Sequence, residues 1–204
     1  MPVRAVILDI GGVLEVNPRT GWPACWARRL GLQPDAFEAQ LDAIWDPGAT
    51  GETTLEEIEG RTAEAFGLSE AALAELMDDA WREYVGTLNQ ELADWFAGLR
   101  PRYRTGILSN SFVGAREREQ KLYGFEDMCD VLVYSHEVGW LKPDPRSYQA
   151  VCGQLGVSPE DAVLLDDLPA NVAGARAVGM RAVTYADNAQ AIAELSAELG
   201  CDQA

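Results

Sequence analysis

The chain has 204 residues, 48% of them hydrophobic, and a formal net charge of −17. This length allows one domain with a substantial core and a modest insertion, and it leaves little room for a second large domain. The acidic charge would repel nucleic acid and anionic lipid, so we expect neither as a partner. A small-molecule substrate and a monomer or homodimer are expected instead. If that substrate is an anion, a metal or a local positive charge must offset the acidic field.

The four cysteines form no CxxC pair and are too sparse for a disulfide scaffold. Residues 1–14 lack the long apolar region and the cleavage site of a signal peptide. No stretch approaches the roughly 18 apolar residues that a membrane span needs. Reduced thiols and a cytoplasmic location are therefore expected.

The first predicted element is a buried strand, because the apolar run 3–8 is closed by Asp9 and the turn pair Gly11-Gly12. After it the pattern changes to helical spacing as far as Gly86. Helices are predicted at about 23–30, 34–45, 54–66 and 69–84. No convincing strand pattern separates them. We expect a small all-helical subdomain at residues 15–86, inserted directly after the first strand.

The rest of the chain alternates helices and strands. Strands are predicted at 105–109, 131–134, 162–165 and 181–185, and helices at about 90–99, 113–122, 145–155, 169–178 and 189–199. This rhythm predicts parallel strands joined by right-handed crossovers, which is the open α/β class. Residues 1–14 and 87–204 would form this core domain.

Polar side chains close three of the predicted strands. A carboxylate at a strand tip, such as Asp9, can attack phosphorus and form an aspartyl phosphate, although an aspartate here can also simply cap the next turn. Ser109 closes a second strand, and both it and Asn110 can donate hydrogen bonds to phosphate oxygens. The sequence therefore indicates a phosphoryl-transfer site at one edge of the sheet.

The acidic pair Asp166-Asp167 closes a further strand, which a parallel sheet would place beside Asp9. Carboxylates this close repel one another unless a hard cation lies between them, and oxygen ligands favour Mg²⁺ over zinc. The alternative for Asp167 is a helix N-cap. Lys142 lies in a segment fixed by Pro143 and a second proline, so its ammonium could neutralise phosphate. The alternative for Lys142 is an exposed lysine in a turn.

In this order, the Asp, Ser, Lys and acidic motifs resemble those of phosphatases in the haloacid dehalogenase superfamily. The similarity covers nearly the whole chain and is most specific at residues 7–14, 135–144 and 165–175. The resemblance implies a Rossmann-like core, flanked by helices, with the helical insertion acting as a cap over the site. The chain resembles in particular the sugar-phosphate phosphatases that have an Asp-x-Gly nucleophile motif.

The resemblance also implies a role for each motif residue. Asp9 would be the nucleophile and a Mg²⁺ ligand, and the Gly11 carbonyl and the Asp167 carboxylate would be further ligands. Ser109 and Lys142 would hold the phosphate and take part in catalysis. Mg²⁺ is the implied cofactor, and a small anionic metabolite is the implied substrate.

Supporting roles follow for four more residues. Asp166 would lie behind the metal ligands, and Asn171 would brace the acidic loop. Gly12 and Asn110 would join the residues that contact the substrate, as would Gly11 in addition to its role as a metal ligand.

One position departs from the usual pattern. Most phosphatases of this superfamily carry a second aspartate two residues after the nucleophile, where it protonates the leaving group, and here that residue is Gly11. General acid–base help typically contributes about 10² to 10⁴ in rate. Three explanations stay open: a substrate with a good leaving group, a proton relay from Glu15 or from His136, or loss of turnover.

The leading hypothesis is a Mg²⁺-dependent hydrolase that cleaves a small phosphomonoester, such as a sugar phosphate, through an aspartyl phosphate. A catalytically weak phosphate-binding or regulatory protein is one alternative. A 2-haloacid dehalogenase is the other, although the acidic pair at 166–167 argues against it. Six tryptophans are present, four of them in the helical insertion, and we expect these to pack in its core with one lining the substrate cleft.

Overall fold

A five-stranded parallel sheet forms the centre of the molecule in the computed structural model, which describes residues 2–200. The described strands are β1 (Ala5–Leu8), β2 (Glu15–Val16), β3 (Thr87–Leu88), β4 (Arg104–Ser109), β5 (Val131–Tyr134), β6 (Ala162–Asp166) and β7 (Arg181–Thr184). The described helices are α1 (Trp22–Leu30), α2 (Pro34–Ala49), α3 (Leu55–Phe66), α4 (Glu70–Val85), α5 (Gln90–Ala97), α6 (Ala115–Tyr123), α7 (Phe125–Met128), α8 (Ser135–Val138), α9 (Pro145–Leu155), α10 (Pro169–Ala177) and α11 (Asn188–Glu198).

The strand order of the sheet is β5-β4-β1-β6-β7, with every pair parallel. Strand β1 is central, and its last residue, Leu8, lies beside Ile107 of β4 and Leu165 of β6. The carboxyl ends of these three strands therefore meet at one edge. The predicted Rossmann-like α/β class, a parallel sheet flanked by helices, is confirmed.

Helices cover both faces of the sheet, which is why β1 is apolar at every position. Val6 and Leu8 point into one buried cluster, where Phe96 of α5 packs. Ala5 and Ile7 point into the opposite cluster, which contains Tyr148 of α9. The period of two along the strand thus divides the core into two layers.

Helices α1 to α4 pack around a third apolar cluster, in which Trp26, Phe37 and Leu76 are buried and to which Ala115 of α6 also belongs. A two-residue antiparallel ladder, in which Glu15 of β2 lies opposite Leu88 of β3, connects these helices to the sheet. The sequence pattern did not predict this ladder, because two residues are too few to show a period. The division into a core domain and a helical cap at residues 15–86 stays a prediction.

Most other predicted elements differ from the observed ones by one or two residues at their ends. Helix α2 is the exception, because it continues past Pro47 to Ala49, whereas the prediction ended it at about residue 45. The four-residue helices α7 and α8 were not predicted. Within residues 2–200, no helix is both long enough and apolar enough to cross a membrane.

Candidate active site

Strands β1, β4 and β6 bring Asp9, Ser109 and Asp166 to the same edge of the sheet. The Asp9 amide donates to the Leu165 carbonyl at 3.0 Å, which continues the ladder beyond the end of β1. All three polar residues are buried. The register therefore places the residues predicted from separate motifs in one cluster.

Lys142 is buried in this cluster, and its ammonium group is fully used. Nζ lies 2.7 Å from Asp9 Oδ1, 2.7 Å from Asp166 Oδ2 and 2.8 Å from the Leu108 carbonyl oxygen. An ammonium has three protons, so each can be donated to one of these acceptors. Lys142 is thus not an exposed lysine in a turn.

Asn110 holds the Lys142 backbone in place. Its Oδ1 accepts from the Lys142 amide at 2.7 Å, and its Nδ2 donates to the Lys142 carbonyl at 2.9 Å. The side-chain amide predicted to contact phosphate is therefore already engaged with the lysine segment. Asn110 fixes the position from which the ammonium reaches Asp9.

Asp166 has both carboxylate oxygens satisfied by the protein. Oδ1 accepts from the Leu168 amide at 2.9 Å and from Asn171 Nδ2 at 3.0 Å, while Oδ2 accepts from Lys142 and from Asn171 at 3.2 Å. A carboxylate with this many donors is suited to orient its neighbours. The supporting roles expected for Asp166 and Asn171 stay predictions.

Asp9, Asp166 and Asp167 form the group most suited to a cation among the described residues. One oxygen from each lies within 4.8 Å of the others. Asp9 Oδ1 is occupied by Lys142 and by the Ile10 amide at 2.7 Å, whereas within residues 2–200 no donor reaches Asp9 Oδ2. The N-cap of α10 is Leu168, so Asp167 does not cap that helix. These hard oxygen donors fit Mg²⁺.

Burial controls the charge of these carboxyls. It raises the pKa of Asp9 to about 7, and Asp166 adds to the rise, while the Lys142 ammonium opposes it. Burial and the Asp166 carboxylate also raise the pKa of Asp167. A divalent cation at the site would favour the ionised form of both ligands.

The loop after Asp9 is shaped for close approach to Asp167. Gly12 has a φ of +74°, and a Cβ built on it would lie 2.5 Å from Asp167 Oδ2. A side chain at this position would therefore displace the carboxylate. The Gly12 amide donates to Asn17 Oδ1 at 2.9 Å, and Asn17 in turn donates to the Tyr84 carbonyl of α4.

A cavity of about 630 Å³, named here the catalytic cavity, opens above the cluster. Its walls include Asp9, Gly11, Gly12, Asn110, Asp167 and Asn171 from the core, and Asn17, Arg19 and Glu83 from the predicted cap segment. Sequence reasoning missed Asn17 and Arg19. No motif marks them, because their role depends on how the insertion folds back over the sheet.

Ser109 lines a second, smaller cavity of about 280 Å³. Glu15 lies on the walls of both this cavity and the catalytic one, and it is 1% exposed. His136 lies elsewhere: its Nδ1 is 2.6 Å from Ser111 Oγ, and it lines neither cavity. Of the two proton relays considered from the sequence, Glu15 alone faces the site.

Comparison with known proteins agrees with this geometry. A profile of the haloacid dehalogenase-like hydrolase family matches residues 3–179. The chain is 32% identical over 192 residues to a protein named phosphatase MT3486 from Mycobacterium tuberculosis, a match that spans 89% of this chain and 87% of the relative. It is 24% identical over 181 residues to a D-ribitol-5-phosphate phosphatase from Bacteroides thetaiotaomicron, which spans 83% of this chain and 85% of that protein.

Among solved structures, the chain resembles a HAD family enzyme from Bacteroides thetaiotaomicron that was crystallised with magnesium and inorganic phosphate. The TM-score is 0.78 at 24% identity, and the alignment covers 90% of this chain and 94% of that one. At this level of identity the likeness supports the fold.

Proposed function

Since this chain belongs to the haloacid dehalogenase-like hydrolase family, we propose that it is a Mg²⁺-dependent phosphatase that hydrolyses small phosphomonoesters through an aspartyl phosphate on Asp9. The observation that carries the proposal is the single cluster of Asp9, Lys142 and Asp167 beneath the catalytic cavity. Asp9 keeps Oδ2 without a donor among residues 2–200, as a nucleophile or a ligand requires.

The reaction proceeds in two displacements at phosphorus. A carboxylate oxygen of Asp9 attacks phosphorus, the bond to the ester oxygen breaks, and the alcohol leaves with a proton taken from solvent or a nearby acid. Water then attacks phosphorus, loses a proton, and releases inorganic phosphate and the Asp9 carboxylate. Hydrolysis thus consumes one water molecule.

Lys142 and Ser109 assist both steps. The Lys142 ammonium offsets the negative charge of Asp9 and Asp166, so that a phosphate dianion can approach an otherwise acidic surface. Ser109, at the end of β4, offers a hydroxyl to a phosphate oxygen. Mg²⁺, held by Asp9, Asp167 and the Gly11 carbonyl, would supply further neutralisation of the transferring phosphoryl group.

The proposed substrate class is a small sugar or polyol phosphate in the cytoplasm. The relative named D-ribitol-5-phosphate phosphatase supports this size and chemistry. Cys25, Cys129 and Cys152 are free thiols, which supports a reducing compartment. The net charge of −17 supports a single small anionic substrate over nucleic acid.

Gly11 favours a second candidate function, a phosphate-binding protein with weak turnover. Glycine cannot protonate a leaving alcohol, so alkyl phosphates would react slowly unless another acid replaces it. Phosphate would still bind through the Ser109 hydroxyl and the positive charge of Lys142, which offsets Asp9 and Asp166.

The test is phosphate release from a panel of phosphomonoesters with and without Mg²⁺. Asp9→Asn, purified in parallel, controls for contaminating phosphatases. We expect metal-dependent release that is lost in Asp9→Asn, with p-nitrophenyl phosphate among the faster esters because its leaving group needs no acid. Release no faster than the Asp9→Asn background, together with tight binding of phosphate, would favour the second candidate.

A further inference from the structure

Two further cavities share lining residues with the catalytic cavity. The 280 Å³ cavity shares Gly11, Asn110 and Glu83 with the catalytic cavity. A third cavity, of about 340 Å³ and lined by the predicted cap helices, shares Glu83 and Tyr84 with it. We name the second and third cavities together the leaving-group space. The side chains that line this space indicate which charged group the alcohol part of the substrate carries, provided that the proposed phosphatase function holds.

The charged side chains that line the leaving-group space are all acidic. They are Glu15, Glu83 and Glu119 in the smaller cavity, and Asp42, Asp46 and again Glu83 in the larger one. Within the described residues, no lysine or arginine lines either cavity. Ionised carboxyls repel a second phosphate or a carboxylate on the substrate. A cation bound beside Glu15 and Glu119, whose pKa values are raised, would favour the ionised form of both groups.

Two of these carboxyls are buried with one oxygen left without a partner. Glu15 is 1% exposed and Glu119 is 0% exposed, and Oε1 of each accepts no hydrogen bond from residues 2–200. The Tyr134 hydroxyl donates to the other oxygen of Glu119. A buried, unpaired carboxyl oxygen is costly, so a donor supplied by a ligand would stabilise both groups.

Arg116, whose charge acts on Glu119, donates hydrogen bonds to other groups. Arg116 lies over the Tyr134 ring, 4.9 Å from its centroid, and forms ion pairs with Glu126 and Glu137. Burial raises the pKa of Glu119 to about 7, although the Tyr134 hydrogen bond and the positive charge of Arg116 both oppose the rise.

Aromatic rings form the wall of the larger cavity. Trp22 stacks on Trp45 with centroids 5.9 Å apart, and Trp45 contacts Phe112 at 5.5 Å. Arg118 already covers the ring of Trp81 at 3.9 Å, but within residues 2–200 the buried Nε1 of Trp81 has no acceptor. Aromatic ring faces next to carboxylates are a favourable environment for an organic cation. A ligand hydroxyl could accept a hydrogen bond from Trp81 Nε1.

We propose that the alcohol part of the substrate carries a protonated amine, as in an amino sugar or amino alcohol phosphate, and that Glu15 and Glu119 accept hydrogen bonds from it. This inference deepens the proposed phosphatase function and rests on it. Glu119 is then a specificity-determining residue that acts on the leaving group.

The test compares esters that differ in charge but hardly in size. One pair is glucosamine 6-phosphate and glucose 6-phosphate, and the other is phosphocholine and 3,3-dimethylbutyl phosphate. We expect kcat/KM to be about 10-fold or more higher for the cationic member of at least one pair. Equal values within both pairs, with p-nitrophenyl phosphate still hydrolysed, would overturn the inference and leave the phosphatase function standing.

Glu119→Gln tests whether Glu119 causes the preference for the cationic ester. Glutamine keeps an oxygen that can accept from the Tyr134 hydroxyl, but it cannot carry the negative charge. We expect the preference for the cationic ester, measured as the ratio of the two kcat/KM values within a pair, to fall by about 10-fold. Glu117→Gln, on the exposed side of the same helix, is the matched control. An unchanged preference in Glu119→Gln would overturn the assigned subsite. If that variant does not fold, the comparison of wild-type substrates decides alone.

Discussion

Two groups of buried carboxyls lie near the two cavities that Gly11 lines. They differ in whether the protein supplies a counter-charge. In the catalytic cluster, Asp9 and Asp166 share the Lys142 ammonium. In the leaving-group space, Glu15 and Glu119 each leave an oxygen without a donor among the described residues. The first arrangement contains its own counter-charge, so the position of Lys142 relative to Asp9 and Asp166 is set before substrate arrives. The second leaves hydrogen-bonding capacity that a ligand can use.

Removal of the Lys142 charge should have the largest effect. Lys142→Met leaves two buried carboxylates without a counter-charge, so we expect the free energy of unfolding to fall by about 3 to 5 kcal/mol and phosphatase activity to be lost. Urea unfolding and phosphate release measure the two effects. Lys121→Met changes the other lysine, which is exposed, and serves as the control. An equal loss of stability in both variants would show that the cluster is not internally paired.

Gly12→Ala should damage the metal site of the cluster. The new Cβ would meet Asp167 Oδ2 at 2.5 Å, so we expect the Mg²⁺ concentration for half-maximal activity to rise by about 10- to 100-fold. Gly31 has a similar φ of +72° and nothing within 4 Å, so Gly31→Ala reproduces the backbone strain without the clash. Equal Mg²⁺ requirements in the two variants would argue against Asp167 as a ligand.

Gly11→Asp places a carboxyl between the two groups. A Cβ at Gly11 meets nothing closer than Asn17 Oδ1 at 3.7 Å, so the site has room for a side chain. If the missing acid limits the rate, turnover of alkyl phosphates should rise by about 10-fold or more while that of p-nitrophenyl phosphate hardly changes. Gly11→Asn, which has the same shape without the proton, is the control. A matching gain in Gly11→Asn would indicate that proton transfer is not the cause.

Glu15→Gln should change the pH dependence of stability modestly. Burial raises the pKa of Glu15 to about 10 from 4.5, so between these values the folded state binds more protons than the unfolded state. This contribution to stability is therefore lost as pH rises. Between about pH 5 and 8, the free energy of unfolding should fall in both proteins. We expect the fall to be about 1 to 2 kcal/mol smaller in the variant than in wild type, measured by urea unfolding. Parallel pH profiles for wild type and Glu15→Gln would contradict the raised pKa of Glu15.

The family and the enzyme class predicted from the sequence are confirmed: the chain is a hydrolase of the phosphatase type. The catalytic cluster was predictable because Asp9, Ser109 and Asp166 each close a strand, and parallel strands end at one edge. The roles of these residues stay predictions.

The leaving-group space was much harder to predict. Helix α6 contains an unbroken run of six charged or polar residues at 116–121, so nothing in its local pattern marks Glu119 as buried. Its burial arises from contacts with β5, which is distant in sequence. Likewise, three of the four tryptophans of the predicted cap line the larger cavity of the leaving-group space, whereas one was expected to line the substrate cleft. Packing between the insertion and the core determines such positions, and periodicity does not report it.

The most direct test of the central claim is mass spectrometry of enzyme quenched in acid during Mg²⁺-dependent turnover. The account predicts one added phosphoryl group on the peptide that contains Asp9, absent in Asp9→Asn and absent without substrate. Rapid turnover with no phosphoryl group on Asp9, or with one on another residue, would contradict Asp9 as the nucleophile.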